Sequence, residues 1–152
     1  MFFGPLPPIF SCRKSYRDIP FAHRQHNHDG HCALVHGHNW TFTFEFASES
    51  LDETGFVIDF GKLGFIREEI RARFDHAYVY NAGDEASVRL VKSNPDLFRP
   101  LEVERCSCEG IAKYLLDVLQ PRVRTETGGR VRISAVEVEE DSKNAARYAA
   151  PA

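Results

Sequence analysis

The stretch HNWTFTFEFAS, residues 38–48, decides the fold. Phe42, Phe44 and Phe46 alternate there with polar residues, and a period of two is typical of a strand with one buried face. The pattern therefore predicts a strand, and the patterns on either side of it predict the elements that surround it.

Three further strands are predicted from the same kind of evidence. Residues 9–17 mix aromatic and polar residues and form a first strand. A turn at residues 52–55 leads into a returning strand at 56–60, which would complete a hairpin. Residues 128–141 begin with two glycines and continue with strong β formers, which predicts a turn and a last strand.

Helices are predicted from apolar spacing and from capping residues. The segment 60–74 carries apolar residues at helical spacing after Asp59, a favoured N-cap residue. A short helix over 84–94 would end before a proline. Another helix runs from its cap Ser107 to Pro121. Strands and helices in this order are typical of an α+β fold with an antiparallel sheet.

Composition limits the size and class of the protein. A chain of 152 residues with 43% hydrophobic residues is long enough for one core, so residues 1–152 are expected to form a single domain. The formal net charge of −3, without long runs of either sign, argues against nucleic acid and anionic membranes as partners.

The cysteines and the first ten residues indicate a cytoplasmic protein. Cys106 and Cys108 are only two residues apart, which is a poor spacing for a disulfide between them. The other cysteines do not suggest the disulfide framework of a secreted protein either. The opening MFFGPLPPIF lacks a basic region and is broken by three prolines, so it is a poor signal peptide or membrane span.

Six of the seven histidines fall between residues 21 and 40. If the central strand extends backward, His36 and His38 lie on it two residues apart and point to the same face. His23 could supply a third nitrogen from the preceding segment. Three imidazoles with an open fourth position are typical of a catalytic zinc ion.

The other residues of this segment are interpreted differently. His26, His28 and His31 lie among loop-forming residues and are expected to be solvated. Cys32 leaves two alternatives open. Its thiolate would complete a closed structural zinc site, or it would stand off the metal as a nucleophile or base.

Taken together, these motifs resemble the 6-pyruvoyltetrahydropterin synthase and 6-carboxytetrahydropterin synthase superfamily. The resemblance extends over most of the chain in the order of the family's motifs. It rests on FAHR (21–24), Cys32, HGHNW (36–40), FVIDF (56–60), FDHAYVYN (74–81) and VEVEED (136–141).

The resemblance implies a particular fold and assembly. Members of the superfamily have the tunnelling fold, or T-fold, in which a four-stranded antiparallel sheet carries two helices on one face. Their subunits join into a β-barrel, typically as a homohexamer built from two trimers. The same arrangement is expected for this chain.

The resemblance also implies roles for individual residues. His23, His36 and His38 would bind Zn²⁺, with Cys32 as the catalytic base. Asp75 and His76 would relay a proton, and the Glu140 carboxylate would bind the pterin.

One segment near the expected pterin pocket departs from the family pattern. RCSCEG, residues 105–110, replaces an Asn-Pro-Thr-type segment that ends in Glu. Ser107 and Glu109 fit the pattern and are expected to contact the substrate. Arg105, Cys106 and Cys108 do not fit it.

The interval between Cys32 and His36 favours one reaction of the superfamily. Three residues separate them, as in the bacterial carboxytetrahydropterin synthases. Such a lyase would convert 7,8-dihydroneopterin triphosphate to 6-carboxy-5,6,7,8-tetrahydropterin, acetaldehyde and triphosphate, in the route to queuosine and related 7-deazapurines. Two alternatives stay open: a pyruvoyl-type synthase that eliminates triphosphate, and a non-catalytic protein with a structural zinc site.

Overall fold

The computed structural model describes residue 4 and residues 6–151, which form a mixed sheet with helices on both of its faces. The strands are β1 (Phe10–His23), β2 (His36–Ser48), β3 (Ala77–Asn81), β4 (Pro100–Val103), β5 (Arg132–Glu139) and β6 (Ala145–Ala149). The α-helices are α1 (Gly64–Phe74), α2 (Glu85–Ser93) and α3 (Cys108–Glu126), and two 3₁₀ turns lie at His31–Ala33 and Phe60–Lys62.

The sheet order is β4-β3-β1-β2-β5-β6. The predicted strands β1, β2 and β5 pair antiparallel, and β6, which was not predicted, continues this pairing beside β5, whereas β3 and β4 add to the β1 side in parallel. The predicted sheet of four antiparallel strands is therefore wrong in strand number and in pairing. β3 escapes prediction because all five of its residues are buried, so its sequence shows no alternation.

The aromatic face of β2 forms the centre of the core. Trp40, Phe42, Phe44 and Phe46 are all fully buried, in one cluster with apolar residues of α1 and α3. These two helices cover one face of the sheet, in agreement with the expected pair. α2 packs on the opposite face, in a second cluster with β3.

The predicted strand at residues 56–60 is wrong. Both edges of β2 are already occupied, by β1 and by β5, so no edge is left for a hairpin partner. The Asp52 carboxylate instead accepts hydrogen bonds from the backbone N–H groups of Thr54 and Phe56, both at 2.9 Å. Asp59 caps the 3₁₀ turn that follows, and α1 begins only at Gly64.

Helix α3 begins as predicted but ends later. The Ser107 hydroxyl accepts a hydrogen bond from the Gly110 N–H, which confirms the cap. The helix passes through Pro121 to Glu126 because its last turns carry the fully buried Val123. The end of the helix is fixed by Thr127, whose hydroxyl donates to the Val123 carbonyl at 2.7 Å.

Candidate metal centre and its surroundings

The three predicted ligands come together at one end of the core. His23 and His36 are paired across β1 and β2, and His38 follows two residues later on the same face as Trp40. The three side chains place their ligand nitrogens within 4.8 Å of one another. The strand pairing that builds the core thus also assembles a site that could hold a metal ion.

Backbone carbonyls fix the tautomers of two of these rings. His23 Nδ1 lies 2.7 Å from the Cys106 carbonyl, and His36 Nδ1 lies 2.7 Å from the Leu34 carbonyl. Because a carbonyl can only accept, both Nδ1 atoms carry the proton in the neutral rings and both Nε2 atoms present a lone pair.

The donor set fits a metal cation. The Nε2 atoms of His23 and His36 are 3.1 Å apart, and as two lone-pair acceptors they cannot hydrogen-bond to each other. Two nitrogen ligands of a tetrahedral zinc ion, each about 2.0–2.1 Å from it, would lie about 3.3 Å apart. The third ring agrees, since His38 Nε2 is buried without a hydrogen-bond partner among the described residues.

Burial keeps His23 neutral. The residue is 2% exposed, and the pKa of His23 is lowered to about 4, mainly by this burial. The hydrogen bond to the Cys106 carbonyl opposes the shift, and the neighbouring His36 and His38 rings add to it. At neutral pH the ring is therefore the unprotonated ligand that a metal requires.

The stability of the metal-free protein should depend on this ring. In the unfolded chain His23 takes up a proton near pH 6.5, but in the folded chain only near pH 4. Its contribution to stability is thus complete above pH 6.5 and is lost as the pH falls towards 4. We expect a loss of about 2 kcal/mol between pH 7 and pH 5 from this group, measured by urea unfolding in the presence of a chelator.

Two variants isolate that contribution. His23→Gln should flatten the dependence over this pH range, whereas His28→Gln, which changes an exposed ring, should keep the wild-type dependence. Equal pH dependence in the wild type and His23→Gln would show that the depressed pKa is not the cause.

Glu140 lies next to the three histidines. It stands just after β5, and its carboxylate is 3.9 Å from His38 Nε2. Cys108, at the start of α3, lies nearby. The pKa of its thiol is raised to about 12, mainly by burial and to a smaller extent by the Glu140 and Glu109 carboxylates. Glu109 is exposed, and Ser107 uses its hydroxyl as the helix cap. The start of α3 therefore borders Glu140.

Cys32 stands apart from the metal-binding nitrogens. It lies exposed in the 3₁₀ turn between β1 and β2, where its carbonyl accepts a 2.7 Å hydrogen bond from the Gln25 N–H. Among the described residues, the cluster of possible ligands contains the three histidines and not this thiol.

Asp75 and His76 form a pair just before β3. His76 Nδ1 lies 2.8 Å from Asp75 Oδ1, and the ring is 77% exposed. His76 borders a shallow surface depression that Pro20, Asn39 and His38 also line. Among the described residues, neither Asp75 nor His76 belongs to the cluster of possible metal ligands.

Sequence reasoning missed a set of buried polar groups behind His23. Asn81 is 4% exposed and bonds to both the Cys106 backbone and the His26 ring. Arg24 forms an ion pair with the buried Asp84 at 2.9 Å. The expectation that His26 is solvated is wrong, because its ring is half-buried against Asn81, while His28 and His31 are exposed as predicted. The FDHAYVYN motif contained Asn81, but only the parallel pairing of β3 shows its role.

Comparison with known proteins assigns this arrangement of fold and histidines to a class of pterin-synthesising enzymes. The profile of the family described as 6-pyruvoyl tetrahydropterin synthase matches residues 13–151. The chain belongs to this family, so the resemblance and the expectation of an enzyme are confirmed.

Individual relatives agree with that assignment. A 6-carboxy-5,6,7,8-tetrahydropterin synthase from Rickettsia felis is 32% identical over 72% of this chain and 82% of its own length. One from Synechocystis is 27% identical over 90% of this chain and 92% of its own. The structure of the Caenorhabditis elegans 6-pyruvoyl tetrahydropterin synthase shares the fold, with a TM-score of 0.64, 20% identity and coverage of 95% and 97% of the two chains.

No helix in the described part of the chain combines the length and apolar character that crossing a membrane requires.

Proposed function

We propose that this protein is a zinc-dependent carbon–carbon lyase. It would convert 7,8-dihydroneopterin triphosphate and one water molecule to 6-carboxy-5,6,7,8-tetrahydropterin, with release of acetaldehyde and triphosphate, in queuosine and 7-deazapurine biosynthesis. The observation that carries the proposal is the cluster of His23, His36 and His38 beside Glu140, in a chain whose relatives from Rickettsia felis and Synechocystis are named for that product.

His23, His36 and His38 would hold the zinc ion through nitrogens that are free of protons. Once bound, the metal supplies a positive charge that polarises substrate oxygen atoms and makes neighbouring protons more acidic. The tautomers set by the Cys106 and Leu34 carbonyls leave the Nε2 atoms of His23 and His36 unprotonated, so that both can bind the metal.

Glu140 would orient the substrate. A carboxylate can accept two parallel N–H bonds from the guanidine-like edge of a pterin, which fixes the ring in one direction. The position of Glu140 near His38 supports this role, since the substrate side chain would then extend towards the metal-binding cluster. Ser107 and Glu109 would contact the pterin from the start of α3.

Cys32 would act as the base that removes the proton from the carbon next to the pterin ring. Its exposure and its place outside the ligand cluster support this role over that of a fourth ligand. A closed structural zinc site, the non-catalytic alternative, would require the Cys32 sulfur about 2.3 Å from the metal.

Asp75 and His76 would move a second proton. The carboxylate of Asp75 holds the Nδ1–H of His76, so the Nε2 atom is left to accept or release a proton. Because His76 is exposed and neither residue belongs to the ligand cluster of its own chain, the pair would serve the cluster of a neighbouring subunit. We propose on this ground a homohexamer, arranged as two trimeric barrels, that completes each site between chains.

The chain would work as a single synthase domain in the cytoplasm. Its four cysteines are all free thiols in the structure, which fits a reducing compartment.

Product analysis tests the proposed reaction. Zinc-loaded protein incubated with 7,8-dihydroneopterin triphosphate should release one acetaldehyde for each triphosphate, measured by coupled alcohol dehydrogenase and by chromatography of the pterin. A pyruvoyl-type synthase would release triphosphate without acetaldehyde. If the substrate is not consumed at all, the lyase assignment and that alternative are both wrong.

A further inference from the structure

We infer that Asn81 is a positioning residue for the metal centre, which it reaches through the backbone of Cys106. Neither hydrogen bond of its side chain goes to the three predicted ligands, yet two short hydrogen bonds, one on each side of the Cys106 Cα atom, lead from it to His23. The inference rests on the proposed metal-binding role of His23 and adds to it a residue that controls the metal affinity.

The first step is the orientation of the Asn81 side-chain amide. The Cys106 N–H lies 2.7 Å from Asn81 Oδ1 and can only donate, so the atom that faces it must be the oxygen. The amide nitrogen then faces His26 Nδ1 at 2.9 Å, and that ring nitrogen must accept. Each end of the amide has one partner that fits it, and the residue is 4% exposed.

The second step links Asn81 to the metal ligand. The amide group of Asn81 holds the N–H of Cys106, and the carbonyl of Cys106 holds His23 Nδ1 at 2.7 Å. Loss of the first bond would free the peptide segment that fixes the ring orientation and tautomer of His23. The Cys106 carbonyl is the direct partner of the ligand ring, and loss of such a partner typically changes metal affinity by about 10–100-fold. Asn81 acts one hydrogen bond further from the metal, so its loss should have an effect at the lower end of this range.

The third step is the rigidity of the surroundings. A Cβ atom on Gly110 would come within 2.3 Å of the Arg105 carbonyl, so the start of α3 is in close contact with the segment that leads into Cys106. On the other side, the Cys106 thiol donates to the Arg24 carbonyl at 3.1 Å. The Cys106 backbone is thus confined from two sides, and Asn81 supplies the hydrogen bond that holds its N–H group in place.

The test is zinc affinity, measured on metal-free protein by competition with a chromophoric chelator. Asn81→Leu, which has similar size but no polar side-chain atoms, should weaken zinc binding by about tenfold, the lower end of the range for a direct partner of a metal ligand. Asn81→Asp keeps an oxygen for the Cys106 N–H and should recover most of the affinity. Tyr78→Phe is the matched control. Tyr78 lies on the same strand as Asn81, and the change removes its buried 2.7 Å hydrogen bond to Ser87 of α2, which does not involve Cys106.

The outcomes separate this inference from the proposed function. If wild-type protein does not bind zinc, the proposed metal site and this inference are both wrong. If wild-type protein binds zinc and Asn81→Leu binds it equally well, only the inference is overturned. An equal loss in Tyr78→Phe would also overturn it, since the effect would then follow from general destabilisation.

A measurement on the unmodified protein covers the case in which Asn81→Leu fails to fold. Nitrogen-15 NMR of the metal-free protein should show His23 in the Nδ1–H tautomer and slow hydrogen exchange at the Cys106 amide. A His23 ring with its proton on Nε2, or a rapidly exchanging Cys106 amide, would contradict the inference.

Discussion

Replacing His36 with alanine is expected to abolish stoichiometric zinc binding and to lower kcat/KM by about a thousandfold or more. The ring lies at the open end of β2 and is only half-buried, so its removal should leave the core intact. It takes away one of two lone pairs that face each other 3.1 Å apart. Metal content by atomic absorption and initial rates of triphosphate release measure the two effects.

A neighbouring histidine provides the control for this change. His28 lies in the same histidine-rich segment but is exposed, and its Nδ1 accepts a hydrogen bond only from the nearby Gly30 N–H. His28→Ala should therefore retain wild-type zinc content and rate. If His36→Ala retains both as well, the cluster of three histidines is not the metal site.

The ligand set could be predicted from sequence because it depends on local geometry. A strand places residues of equal parity on one face, so the rule that buries Phe42 and Phe44 also brings His36 and His38 together. To predict His23 as the third ligand, one further condition was needed, namely the antiparallel pairing of β1 with β2. A connecting loop of twelve residues made that pairing possible without determining its register.

The surroundings of the cluster depend on contacts between distant segments, which sequence spacing does not encode. Asn81 meets Cys106 because β3 joins β1 in parallel, after a connection that contains β2 and α1. The apolar composition of β3 is compatible with a buried strand or a helix segment, so it does not reveal this pairing. Pro121 shows a second limit, since the burial of Val123 outweighs the local tendency of a proline to end a helix.

Replacing Cys32 with alanine is expected to separate catalysis from metal binding. If the thiol is the base and not a ligand, kcat should fall by about 10²–10⁴-fold while zinc affinity stays at the wild-type value. The variant should fold normally, because the side chain is exposed in a 3₁₀ turn. Single-turnover rates and chelator competition, carried out on the same preparation, give the two quantities.

A second cysteine serves as the control. Cys12 lies on β1 opposite Phe46, at the far end of the strand from His23, so Cys12→Ala should keep both rate and affinity. A fall in zinc affinity in Cys32→Ala that matches the fall in rate would instead identify Cys32 as a fourth ligand. The site would then be the closed structural type.

Mixing two inactive variants extends the Cys32 prediction to the assembly. Cys32→Ala and His76→Ala chains should each be inactive alone, the second because the exposed His76 would have lost its proton-transfer role. If His76 serves the metal centre of a neighbouring chain, mixed oligomers contain some sites with an intact Cys32 from one chain and an intact His76 from another.

Random mixing in equal amounts should restore activity at roughly a quarter of the sites. If each site lies within one chain, mixing restores nothing, because every chain carries one defect. The exposure of His76 and its place outside the ligand cluster of its own chain favour the first outcome.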